Sequence, residues 1–255
     1  TVTSACASAT DAIGMAMRFI MAGDADMMIC GGTEASVTPL TIAGFANMRA
    51  LSQSCDEPTK ASRPFEKDRN GFVLGEGSGM LVIETESHAK KRDVTILAEL
   101  AGYGATDDAF HVTQPALGGA GALKAMERAI QDAGLETTDI DYINAHGTST
   151  PFNDRNESAA ISTLFGDHSS TLKVSSTKSM TGHLLGAAGG IEAVAAVKTI
   201  QDQLLPPTIN YDNPDPDCTL DYVPNTAQTH EVNAVLSNTF GFGGHNAVIC
   251  IRKYD

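Results

Sequence analysis

Tryptophan is absent from the 255 residues, and aromatic residues of any kind make up only 5%. Charge is sparse and one-sided: 19% of residues are charged, with 17 Lys and Arg against 31 Asp and Glu, a net charge of −14. So acidic a chain lacks the basic face that nucleic acid requires and is repelled by an anionic membrane surface. It has no run of about 20 apolar residues that would span a membrane as a helix, and no basic-then-apolar leader. The five cysteines, at 6, 30, 55, 218 and 250, are odd in number and form no CxxC pair. Neither a disulfide framework nor a zinc site is expected, which fits a reducing cytoplasm. The glycine loops GEGSG and GFGGHN match neither a P-loop nor a dinucleotide fingerprint, and there is no HExxH.

Hydrophobic residues, at 42%, suffice for a sizeable core. Short apolar runs alternate with segments of helical period, the α/β pattern. The spacing predicts helices over 6–22, 120–133, 151–164 and 183–201. It predicts strands over 25–30, 80–84, 96–104, 140–144, 234–238 and 247–251, and one ending at 174–176. In the first helix Ile13, Met17, Ile20 and Met21 recur at spacings of three and four. Gly134 closes the second, and Pro151 opens the third where its missing N–H costs nothing.

The layout repeats. A helix from Cys6 leads through a strand and a long connection to FVLGEGSGMLVIE, and a helix from His183 leads to VLSNTFGFGGHNAVICI. Both stretches end as strand, glycine turn, strand, which reads as duplication of one α/β unit. The second unit has a long block, from Asp93, ahead of its helix, where the first has only Thr1 to Ala5. The expectation is an N-terminally truncated chain with an incomplete first half.

Cys6, in SACASA, stands at a helix start, where the dipole favours a thiolate and a free N–H can meet an oxyanion. Its small neighbours leave room for a substrate; the alternative is a buried structural cysteine. Cys30 and Cys250 read as core, and Cys55 and Cys218, in polar loops, have no assigned role. His146, in NAHGTSTP, and His183, in TKSMTGHLLGAAGG, both fall between a strand and a helix, where open α/β sheets hold ligands. A neutral imidazole at a helix start can donate a hydrogen bond to a carbonyl; each histidine alone reads more readily as structural, and it is the two in equivalent positions, with a helix-start Cys, that point to a site. Lys178 is either a surface charge or a partner for Glu192, placed in the same helix as His183.

Together these residues resemble the elongating condensing enzymes of fatty-acid synthesis, the beta-ketoacyl-acyl carrier protein synthases. The resemblance is carried by SACASA, GGTEAS, RPFEKDRNGFVLGEG, NAHGTSTP, SSTKSMTGHLLGAAGGIEA, PPTIN and GFGGHNA, from one end of the chain to the other. It implies a thiolase-like α/β fold: two duplicated halves layered α-β-α-β-α, acting as a homodimer. The first half would be incomplete. Residues 1–92 would be the remainder of the N-terminal half, with the nucleophile, and 93–255 the C-terminal half, with both histidines and the lysine.

By motif, Cys6 corresponds to the acylated nucleophile, and His146 and His183 to the pair that polarises the malonyl thioester. Lys178 corresponds to the organising lysine with Glu192 its partner, and Phe242 to the gate whose N–H joins that of Cys6 in the oxyanion hole. Thr148 and Thr150 match hydroxyls lining the phosphopantetheine path. Phe240, Arg49 and Thr113 complete the expected substrate-binding set, with Arg49 near the pantetheine entrance. The implied partners are acyl- and malonyl-loaded acyl carrier protein; no metal or organic cofactor is implied. Phe152 and Asn153 depart from the small residue and Gly that many members carry there. Thiolases use a second Cys as base, where this chain has two matching histidines, and chalcone-type enzymes lack the KSMTGHLLGAAG segment. A polyketide ketosynthase usually reads DTACSSS and EAHGTGT. A non-catalytic partner subunit loses the cysteine that this chain keeps. An inert fragment remains the other alternative for the isolated chain.

Overall fold

The computed structural model describes residues 1–254. The first half contributes α1 (Ser8–Met21), β1 (Met27–Glu34), α2 (Pro39–Asn47), β2 (Gly77–Glu84) and α3 (Glu86–Lys91). The second opens with β3 (Glu99–Asp107), α4 (Ala120–Asp132), β4 (Tyr142–Asn144), α5 (Pro151–Phe165) and β5 (Lys173–Ser175). After α6 (Lys178–Thr181) and α7 (Ala188–Asp202) come β6 (Leu204–Leu205), β7 (Gln228–Thr229), β8 (Ala234–Phe240) and β9 (His245–Arg252).

Strands β3-β9-β8-β4-β5 form a five-stranded sheet, parallel at β8-β4-β5 and antiparallel at β3-β9-β8. Strands β1 and β2 form a separate antiparallel pair, Met27 opposite Glu84 and Glu34 opposite Gly77. Helices α1 and α7 pack on each other between that pair and the larger sheet, and α4 and α5 cover the larger sheet's other face. The middle layer is closed by Ile13, Ala196, Val235 and Ile249, and the outer one by Met126, Ile161, Leu236 and Val248. The layered α/β class expected from the sequence is what the chain adopts.

Helix α7 is rich in small residues because sheets flank it on both sides. A Cβ on Gly190 would lie 2.4 Å from the Gly79 carbonyl oxygen, and one on Gly79 would lie 2.2 Å from the Gly190 carbonyl carbon. Glycine in a helix interior costs about 1 kcal/mol relative to alanine; here it permits backbone contact between α7 and β2.

Three expectations need correction. The strand at 25–30 runs on through Gly31 and Gly32 to Glu34, because β2 supplies a partner for each residue. It is also not buried throughout, with Ile29 68% exposed and Val82 opposite it 61% exposed. The helix at 183–201 is broken: α6 stops at Thr181, His183 pairs with Leu74 in an extended bridge, and α7 begins at Ala188. Cys218, read as part of a polar loop, is buried.

Candidate active site

Cys6 lies between the end of an extended segment and α1, following Ala5, whose φ of 50° is left-handed. Its side chain is 7% exposed. Its Sγ is 3.1 Å from Nε2 of His183. The Lys178 charge and the N–H groups of Phe242 and of Cys6 itself favour the thiolate, but burial outweighs them and pushes the thiol up to about 11. The acid-shifted thiol expected from a helix start is therefore not found. Desolvation disfavours the charged form more than the nearby dipoles and charge favour it.

The His183 backbone is fixed by the 73–75 segment: its N–H donates to the Val73 carbonyl (2.7 Å) and its carbonyl accepts from Gly75 (2.9 Å). His146 follows β4 and is fixed by α5. Glu157 Oε1 accepts the His146 N–H and Oε2 accepts the Gly147 N–H, each at 2.8 Å. The two imidazoles meet edge to face, centroids 5.3 Å apart at 86°. Burial, and then the Lys178 charge, hold both well below the ordinary histidine range. Both are neutral, as expected for His183, although burial rather than a helix dipole is the main cause. Nδ1 of neither ring has a hydrogen-bond partner among the described residues. Without an acceptor behind it, neither ring is oriented as the base of a Cys–His–Asp triad would be.

Lys178 and Glu192 form the expected ion pair, with side chains 2% and 1% exposed. Glu192 reaches it from α7, one element beyond the segment that carries His183.

A cavity of about 340 Å³ runs from Cys6, His146 and His183 out to Arg49 and Thr113. Phe240, Phe242, Thr148 and Thr150 also line it, so every expected site residue faces the cavity except Lys178 and Glu192, which stand behind it. Thr148 and Thr150 share a hydroxyl contact of 2.9 Å. The Phe240 ring stands 5.7 Å from that of His146.

Sequence reasoning missed Phe72, whose ring lies 5.3 Å from that of His183, and Glu157. Phe72 left no signal, since its contact depends on the 72–75 segment crossing to His183. Glu157 left one: Asp154, Glu157, Ser158 and Ile161 share the buried face of α5, and two acids on an apolar face need a buried partner.

The chain belongs to the beta-ketoacyl synthase family, whose N-terminal domain matches residues 1–89 and whose C-terminal domain matches residues 97–212. Among curated relatives, the 3-oxoacyl-[acyl-carrier-protein] synthase 2 of Synechocystis sp. is 55% identical over 255 residues, all of this chain. Its counterpart in Staphylococcus aureus is 54% identical over the same span. The chain spans 61% of the length of each of these relatives. Similar solved structures include a type II PKS acyl-carrier protein in complex with its ketosynthase bound to the hexaketide. There the TM-score is 0.98 at 42% identity, over 100% of this chain and 62% of that one. A beta-ketoacyl synthase from Burkholderia phymatum matches with TM-score 0.93 at 38% identity, over 100% and 61%. The thiolase-like ketosynthase fold is thus the fold of this chain.

Proposed function

We propose that the protein carries out a decarboxylative Claisen condensation, extending an acyl group on Cys6 with malonyl-acyl carrier protein to give 3-oxoacyl-acyl carrier protein. The observation that carries this reading is the Cys6 Sγ at 3.1 Å from His183 Nε2, with the His146 ring at right angles beside it. Cys6 rests as a thiol, and its proton passes to the carrier's departing sulfur as the Cys6 sulfur attacks the acyl thioester, while His183 keeps its own Nε2 proton. The N–H groups of Cys6 and Phe242 receive the oxyanion, and the proton leaves with the carrier's thiol. The two neutral imidazoles then donate to the malonyl thioester carbonyl, carbon dioxide departs, and the enolate carbon attacks the acyl group on Cys6. The Cys6 thiolate is expelled and takes a proton from water, the one proton that the overall condensation consumes. Burial first, and then the charge of Lys178, paired with Glu192, keep both imidazoles neutral.

Residues 1–92 and 93–255 serve as the two ketoacyl synthase halves, working in the cytoplasm as a homodimer. Thr148, Thr150, Phe240 and Thr113 line the pantetheine path, and Arg49 meets the carrier at its mouth. The solved complex with TM-score 0.98 favours a polyketide ketosynthase as second reading. The 55% and 54% identities to the synthases outweigh the 42% identity to that ketosynthase.

The test is mass spectrometry of the Cys6 peptide after incubation with acyl-carrier protein, followed by malonyl-carrier protein. An acyl adduct on Cys6, discharged as a product two carbons longer, is expected. Acylation at any other residue, or none, sinks the reading. Discharge only as repeated extensions without intermediate reduction favours the polyketide alternative.

A further inference from the structure

Behind the bend that carries Cys6 stands a carboxylate with no part in the reaction above. Asp11, in the first turn of α1, accepts the Ser4 hydroxyl on Oδ2 and the Tyr103 hydroxyl on Oδ1, the latter at 2.7 Å. Tyr103 belongs to β3, on the far side of α1. Its N–H donates to Asp132 Oδ2 (2.9 Å), an oxygen that Arg18 of α1 also contacts at 2.8 Å. The brace is therefore anchored in the five-stranded sheet and in α4, not only within α1.

Ser4 is fixed at both backbone ends. Its N–H donates to Ser8 Oγ (2.9 Å) and its carbonyl accepts from Ala7 (3.0 Å), while the Ser8 hydroxyl donates to the Ala5 carbonyl (2.6 Å). Between Ser4 and Cys6, Ala5 holds a φ of 50°, a region a non-glycine residue keeps only when its surroundings over-determine it. The same bend is pressed against the loop that bears Phe242. A Cβ on Gly241 would lie 2.9 Å from the Ser4 carbonyl oxygen and 3.2 Å from the Cys6 nitrogen. Any rotation of the Ser4–Ala5 unit would turn the Cys6 N–H relative to that of Phe242.

We propose that Asp11 is a positioning residue: with Ser4 and Tyr103 it locks the bend before Cys6, and so aims the Cys6 N–H at the oxyanion formed on acylation. The proposal rests on the condensing reaction above. Its effect is geometric, since the side-chain charges that act on the Cys6 sulfur are those of Lys178 and Glu192.

Two reactions of the same sulfur separate aim from structure. Acylation by a thioester forms an oxyanion and needs the N–H pair; alkylation by iodoacetamide forms none. Both rates are measured on Cys6 in wild type, Asp11→Ala, Asp11→Asn and Tyr103→Phe, alongside thermal midpoints. Asp11→Ala is expected to slow acylation by about tenfold or more, part of the 10²–10³ that loss of one oxyanion donor costs, with alkylation changed less than about twofold. Asp11→Asn, which keeps one acceptor oxygen, recovers part of the loss, and Tyr103→Phe falls between. Equal slowing of both reactions, or unchanged acylation, overturns the proposal. If Asp11→Ala does not fold, Asp11→Asn and Tyr103→Phe give the same comparison. A wild type that is never acylated refutes the reaction and the brace together; one acylated normally in all variants refutes the brace alone.

Discussion

A nucleophile that rests protonated must be activated at the moment of attack, and the environment of Cys6 makes it such a nucleophile. With its thiol near 11, the rate of iodoacetamide labelling at Cys6 should climb about tenfold per pH unit from pH 7 to 9 without levelling off. A plateau below pH 8 would mean that Lys178 and the two N–H groups outweigh burial after all. The histidines divide the work differently. His146→Ala should cut decarboxylation of malonyl-carrier protein by about 10²–10³ and leave acylation of Cys6 much less affected, because only His183 touches the sulfur. Parallel assays of the two half-reactions decide this, and equal losses would deny His146 a separate part.

At the scale of elements, α5 is the support that the loop bearing His146 depends on. Burial raises the Glu157 carboxyl from its ordinary 4.5 to about 7. Between those values the folded chain keeps a proton that the unfolded chain has lost, so this group's contribution to stability falls as pH rises through the window. The shift amounts to on the order of 3 kcal/mol. Glu157→Gln should remove that slope. From pH 5 to 7.5 the wild type should lose stability relative to the variant in urea titrations, and a constant difference would contradict the raised carboxyl. Arg69 bonds Asp154 (3.2 Å) and Asp215 (2.6 Å), with Asp154 fully buried. Arg69→Met strands that carboxylate and should cost about 3–5 kcal/mol in the same titration. Neither partner is near Arg69 in sequence, where Glu66, Asp68 and Glu76 are the local candidates, and only Arg63 takes one of them, Glu66, at 3.9 Å. What could be read in the chain was local: Pro151 opening α5, Gly134 closing α4, and in α1 the buried spacing of Ile13 and Met17, although Ile20 is only partly buried and Met21 is exposed. What could not be read was set by strands far away in sequence. Leu74 pulls His183 out of the helix its neighbours predict, and β2 carries β1 past two glycines. The site was legible because its residues sit inside short motifs, whereas their supports, Phe72, Glu157 and Asp11, each act across the fold.

These 255 residues carry a net charge of −14, so on the proposed reading a carrier of like charge would dock only where a local positive group meets it. Arg49 sits at the cavity mouth, exposed, at a φ of 56° just beyond α2. Arg49→Glu should raise KM for acyl-carrier protein several-fold and flatten its salt dependence, with little change for a free pantetheine thioester. Equal loss on both substrates would make Arg49 a structural residue. The glycine contact between α7 and β2 has a longer reach. A single methyl group at Gly190 would force the two backbones apart, and α7 would carry Glu192, two residues on, away from Lys178. A screen for lost function would therefore return silent-looking glycine codons on the face away from the cavity, and their defect would read as chemistry while the cause was distance.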